Sequence, residues 1–156
     1  MHACIVTMMI VLGIAMTAST QDRPDFSGEW ILNRQASTLS PGADGVRSGV
    51  VRIEHHDPAF KYSARFETGG NPIEFTFELQ SDGRDVAGSQ QGVQSVSSLR
   101  WDGNVLVFSA RTQRVNGEMT MEFRYELLDG GRRLRAVEQL RSTAYNQDNV
   151  WMFDHR

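Results

Sequence analysis

A single cysteine, Cys4, occurs in the 156 residues, and it lies next to the first apolar run. A disulfide framework is therefore excluded, and burial of apolar surface must hold the fold together. Lysine is almost missing as well: Lys61 is the only one, and arginine carries nearly all the positive charge. The net charge is −3 and no block of basic residues appears. A partnership with nucleic acid or an anionic lipid surface thus has no electrostatic support. After the first twenty residues there is no apolar stretch of membrane-spanning length and no helix-period run of useful length. No P-loop, Gly-x-Ser-x-Gly or His-Glu-x-x-His motif appears either.

What is present begins with an apolar run over residues 5–15, followed by the small, mildly polar Ala-Met-Thr-Ala-Ser-Thr of residues 15–20. This is the layout of a secretory signal, although its first residues offer His2 in place of Lys or Arg. The expectation is a signal peptide over 1–20, cleaved after Ala18 or Thr20, and a secreted or periplasmic mature chain. An uncleaved anchor is the alternative. Residues 21–156 are then one domain, large enough for a real core and without an integral membrane span.

Strand-period alternation recurs through that domain. The expected strands are 26–33, 49–56, 60–67, 73–80, 84–89, 93–101, 104–115, 118–128, 132–143 and 149–155. Residues 33–48 carry Ser40-Pro41-Gly42 and Asp44-Gly45 and read as a long loop with at most one helical turn. Four dipeptides, Asp82-Gly83, Asp102-Gly103, Asn116-Gly117 and Asp129-Gly130, suit two-residue hairpins, whose central positions need positive φ. Centred on them, the hairpins pair Leu99 with Leu106, Phe108 with Tyr125, Phe123 with Ala136, Met121 with Glu138, and Leu79 with Val86. The inward face becomes Leu99, Trp101, Leu106, Phe108, Phe123, Tyr125 and Leu134. The outward face sets Arg111 against Glu122, Glu126 against Arg133 and Glu118 against Arg141. Gly88 and Gly92 mark a change of phase, read as a bulge or bend. Consecutive hairpins with one apolar face predict an all-β fold, a single up-and-down antiparallel β-barrel of eight to ten strands.

Phe26-Ser27-Gly28-Glu29-Trp30 opens the first strand, and this Gly-x-Trp resembles the start of the calycin superfamily, the lipocalins and fatty-acid-binding proteins among them. With "WDGNVLVF" (101–108), "LLDGGRRLRA" (127–136) and the closing "VWMFDHR" (150–156), the layout is similar to secreted bacterial lipocalin-like proteins. The resemblance implies that Trp30 closes one barrel end, that Gly28 lets a neighbour approach, and that a late-strand arginine, Arg141 or Arg156, packs on Trp30. The Thr-Asp-Tyr signature of many lipocalins is absent, and residues 33–48 hold no counterpart of the helical lid of fatty-acid-binding proteins. A related haem-holding barrel family uses a late histidine, the place of His155, but its glycine-rich motif is missing.

The inward aromatics and methionine define the candidate ligand site: Tyr62, Phe75, Phe77, Phe108, Met121, Phe123 and Tyr125, with Phe60 and Phe66 on the same face. A barrel of this size either fills with side chains or leaves room for one small ligand. Glu138 breaks the apolar pattern, and a buried carboxylate is costly without a partner. Arg114 falls on the same inward face, two strands away and about 10 Å distant by strand spacing, as a cation for Glu138 or for a ligand head group. His55 and His56 point to opposite faces of a strand and cannot share a metal. No metal, cofactor or catalytic residue is expected. The function expected is an exported barrel holding an apolar or amphipathic molecule. A cofactor-free isomerase, cyclase or hydrolase using Glu138 as acid/base, and a structural envelope protein with a filled core, are the alternatives. Oligomeric state stays open.

Overall fold

The computed structural model of the chain describes residues 22–90 and 92–156. The expected signal segment, 1–20, and Cys4 lie outside the described residues. Ten strands follow: β1 (Gly28–Leu32), β2 (Ser48–His56), β3 (Ala59–Glu67), β4 (Ile73–Gln80), β5 (Val86–Gln90), β6 (Val93–Asp102), β7 (Val105–Arg114), β8 (Gly117–Leu128), β9 (Arg133–Arg141) and β10 (Asn146–His155). They form one antiparallel sheet in the order β4-β3-β2-β1-β10-β9-β8-β7-β6-β5, curled into a nearly closed up-and-down barrel. Among the described residues the only helical piece is a three-residue turn, Asp129–Gly131. The long loop before β2 has turns and no helix, as its Pro, Gly and Asp content dictates.

The barrel does not close where the Asp82-Gly83 hairpin was expected. β4 and β5 are the two free edges of the sheet, so Leu79 does not pair with Val86. The chain between them instead crosses to β6: Asp82 bridges Arg100, and the Gly83 amide donates to the Leu99 carbonyl at 2.8 Å. The phase change at Gly88 to Gly92 is no bulge but the β5–β6 hairpin itself, with Gln90 opposite Val93 and Gly92 at φ 77°.

In the meander β6–β9 each expected pairing is off by two residues. Leu99 faces Phe108, Phe108 faces Phe123, Tyr125 faces Ala136, and Glu138 faces Phe123, not Met121. Because side chains alternate with a period of two, a slip of two keeps every residue on its predicted face. The turns explain the slip. Gly103 takes the first turn position rather than the second, before Asn104. Gly117 starts β8 at φ 116°, where a Cβ would lie 3.1 Å from the Thr143 methyl. Asp129, Gly130 and Gly131 all have positive φ and widen their turn beyond two residues. Outward charges find other partners than expected: Arg111 with Asp85 at 3.0 Å, Glu126 with Arg135 at 2.6 Å, and Arg141 with Asp148 at 2.6 Å. These pairs are exposed and worth little each.

Gly28 and Trp30 share the inner face near one end. Trp30 is fully buried and its indole N–H donates to the Phe26 carbonyl at 3.0 Å. The ring packed edge-on against it, with centroids 4.6 Å apart, belongs to His155, not to an arginine. Arg156 pairs with Glu29 and Arg141 with Asp148. Gly28, at φ 144°, leaves room for that histidine: a Cβ there would stand 2.5 Å from its Nε2. Gly28 pairs with Ile53 of β2, and its missing side chain leaves the space that the His155 ring fills beside Trp30.

Candidate functional site

Two ends result. One is closed by the segment before β1. Phe26 fits between His55, Phe60 and Trp101, and its backbone N–H donates to His55 Nδ1 at 3.3 Å. Asp57 gathers the Ser81 hydroxyl at 2.5 Å, the Trp101 indole at 2.9 Å and Arg23 at 2.9 Å, and Arg23 also lies over the Trp101 ring. Burial holds the His55 imidazole below its ordinary pKa despite the nearby charges of Asp25 and Asp57, and among the described residues its Nε2 has no hydrogen-bond partner. His56 points outward, as strand alternation requires.

The other end holds a cavity of about 250 Å³. Its walls are Tyr62, Phe66, Phe75, Met121, Phe123, Ala136, Trp151 and Phe153, and its cover is Gly42, Ala43 and Val46 from the long loop. A glycine makes room for one wall: Gly49 faces Phe66 across β2 and β3, where a Cβ would lie 2.3 Å from the ring. Burial, and then the charge of Glu138, keeps the Tyr62 hydroxyl protonated far above its ordinary range. A second recess of about 540 Å³ adjoins the first through Phe75 and Met121. It opens at the gap between β4 and β5 and is lined by Phe77 and Phe108 with Thr76, Ser95, Ser97 and Thr112.

Glu138 is buried at 5% exposure and lines the cavity. Three inward side chains of β10 serve it. Gln147 Nε2 donates to Oε1 at 3.2 Å, and Asn149 Nδ2 and Trp151 Nε1 donate to Oε2 at 2.8 and 2.7 Å. These residues sit at i, i+2 and i+4, the positions that share a face of a strand. The long loop fixes their orientation. The Ser40 amide donates to Asn149 Oδ1 at 2.7 Å, which leaves only the Nδ2 end for Glu138. Gln147 Oε1 rests where a side chain at Gly42 would be, 2.3 Å from the position of its missing Cβ. Thr38 bridges Val150, and the Ser37 hydroxyl accepts from the Met152 amide, so the loop is laced along the edge of β10 opposite β9. Three donors meet the requirement that a buried carboxylate be hydrogen-bonded, yet all three are neutral.

Of the residues marked out in the sequence, the cavity brings together Tyr62, Phe75, Met121, Phe123 and Glu138. Phe77 and Phe108 line the adjoining recess. Tyr125 borders neither; it is packed beneath them against Phe60, Tyr62 and Phe123. Arg114 is exposed at the end of β7, and among the described residues it makes no ion pair with Glu138. Sequence reasoning missed Gln147, Asn149 and Trp151. Their signal was the alternation of β10 carried back from Phe153: Asn149 and Trp151 lay within the expected strand but were given no role, and the expected start at residue 149 cut off Gln147.

The fold is similar to that of a secretory abundant heat soluble protein from Ramazzottius varieornatus, at 8% identity and TM-score 0.58, over 83% of this chain and 94% of that one. It is also similar to zebrafish ileal bile acid-binding protein complexed with cholic acid, at 10% identity and TM-score 0.54, over 84% and 98%. Human cRBP IV is a third such structure, at 16% identity and TM-score 0.54, over 85% and 99%. No protein-family model matches the sequence, and no curated protein sequence matches it either.

Proposed function

We infer that the barrel is of the calycin type, as the Gly28-x-Trp30 opening led us to expect. We propose that this protein is an exported barrel that holds one small apolar or amphipathic molecule inside. The observation that carries the reading is the cavity of about 250 Å³ with aromatic and aliphatic walls and one buried polar group, Glu138. Apolar walls supply affinity through burial, and a few placed polar groups set orientation. The volume lies just below the usual range for such sites, which suits a small occupant. Similar barrels include one complexed with cholic acid, which supports an occupant inside this one. Export is inferred from the signal-like layout of residues 1–20.

The neutral fluorophore Nile red tests the proposal. We expect binding with a Kd on the order of 1 µM, about −8 kcal/mol. Phe123→Trp, which enlarges a cavity wall, should weaken it at unchanged thermal stability. Absence of any binding by the folded protein would leave a barrel with a structural role only.

A further inference from the structure

We infer that the interior site selects ligands whose head group donates hydrogen bonds, a primary amine above all, and rejects carboxylates. This rests on the reading of the cavity as a ligand site and goes on to name the ligand's chemistry.

Three observations carry it. First, the titratable groups lining the cavity, the Tyr62 phenol aside, are Glu138 and Glu74, and no arginine, lysine or histidine is among them. Second, Glu138 receives only neutral donors, so its charge has no cation within reach among the described residues. A buried charge that is hydrogen-bonded but unpaired gains most from an ion of opposite sign, and pays most when a like charge is brought beside it. Third, the donors are fixed in orientation. Trp151 can only donate. Asn149 has its oxygen held by the Ser40 amide, and Gln147 has its oxygen lodged over Gly42. Gln147 and Asn149 each keep a second N–H, but neither can turn round without leaving Glu138 unsatisfied. A ligand carboxylate would therefore find a carboxylate opposite and only neutral donors, such as the second N–H of Gln147 or the Tyr62 hydroxyl, with no cation to offset the repulsion.

The open valence is on the right atom. Oε2 of Glu138 already accepts two bonds, while Oε1 accepts one, the longest of the three at 3.2 Å. A carboxylate oxygen accepts about two. An ammonium or hydroxyl entering past Gln147 would complete Oε1, with its alkyl part against Phe66, Phe75, Met121 and Phe123. A hydroxyl satisfies the oxygen without compensating the charge, so alcohols should rank between amines and acids.

The experiment is displacement of Nile red at pH 7 by octylamine, octanol and octanoate, which share one chain and differ only in head group. The expected result is octylamine binding at least about tenfold tighter than octanoate, with octanol between them. Glu138→Gln should bring amine and acid to within about threefold of each other, each measured against that variant's own Nile red affinity. Octanoate binding as well as octylamine would overturn the proposal and leave the ligand site standing. So would a preference for the amine that survives Glu138→Gln. If Glu138→Gln does not fold, Glu138→Asp draws the carboxyl back from the cavity and must lower the ratio. Failure of Nile red itself to bind would remove the site and this proposal together.

Discussion

At one end of the barrel Phe26, Trp30, Phe60, Leu99, Leu106 and Leu134 are 0–1% exposed. At the other, Phe66, Phe75, Met121 and Phe123 lie on the same inward face of the sheet and are only half-buried, around open space. The strands are shared and the alternation is the same, so neither accounts for the difference. What differs is the piece of chain that comes to each end from outside the sheet. Residues 23–27 drive a phenylalanine ring and a backbone N–H into the closed end, where His55 and Trp101 receive them. The long loop before β2 instead lies along β10, spends its hydrogen bonds on Asn149, Val150 and Met152, and offers the cavity only Gly42, Ala43 and Val46. Small residues cover a space without filling it. Packing density is thus set end by end: one carries stability, and the other is left free to carry a ligand.

If that division is right, truncations at the two ends should cost very different amounts. Trp30→Ala removes a fully buried indole and its bond to the Phe26 carbonyl, and should cost about 3–5 kcal/mol. Met121→Ala trims a half-buried cavity wall that already faces a void, and should cost roughly 1 kcal/mol. Urea unfolding of both variants measures the pair. Equal losses would mean that the cavity end is packed as tightly as the plug.

The closed end was legible in the sequence and the cavity end only in part, for a physical reason. Facing is a local property: alternation with period two assigned Leu99, Phe108, Tyr125 and Leu134 inward even though each hairpin turned two residues from its expected place. The position of a turn is decided by which residue must take positive φ, and Gly103 and Gly117 each took a role other than the dipeptide rule assigned. Closure was not local at all. Gly83 takes the positive φ that the hairpin needs but Asp82 does not, and nothing in the dipeptide itself distinguishes a hairpin from a step across to β6. The same limit hid the partners of Glu138. Strand spacing pointed to Arg114, and no turn dipeptide set the register of β10 on β9, which delivers Gln147, Asn149 and Trp151.

The closed end should also be the acid-sensitive one. His55 is held below its ordinary pKa by burial, against the pull of Asp25 and Asp57 and helped by the neighbouring His56. The unfolded chain, where His titrates near about 6.5, then binds the proton more readily than the folded one. Stability is fully present above that pH and is lost as pH falls toward the lowered folded value. Asp25 and Asp57 add a separate window. Hydrogen bonds from Ser27 hold Asp25 below its ordinary range. Burial alone would raise Asp57, but hydrogen bonds from Ser81, Trp101 and Arg23 outweigh it. Their contribution is present above about pH 4 and is lost as pH falls through their folded values. Thermal melting from pH 8 to pH 5 should therefore show a decline that His55→Leu flattens. An unchanged slope in that variant would assign the decline to groups outside the plug.

The smallest effect is expected at Arg114, the residue that strand spacing favoured as an anchor. It is exposed at the end of β7, borders the second recess rather than the cavity holding Glu138, and faces Gly117 across the turn to β8. A solvated guanidinium in that position is screened and gives little to a charge inside the barrel. Arg114→Ala should change the melting temperature by no more than a degree or two and octanoate affinity by less than about twofold, within the usual effect of a surface change. A tenfold loss of octanoate binding, with Nile red unaffected, would show that acids enter by the gap between β4 and β5 and settle in the recess lined by Ser95, Ser97 and Thr112. The barrel would then have two compartments of opposite preference, divided at Phe75 and Met121, the residues that line both.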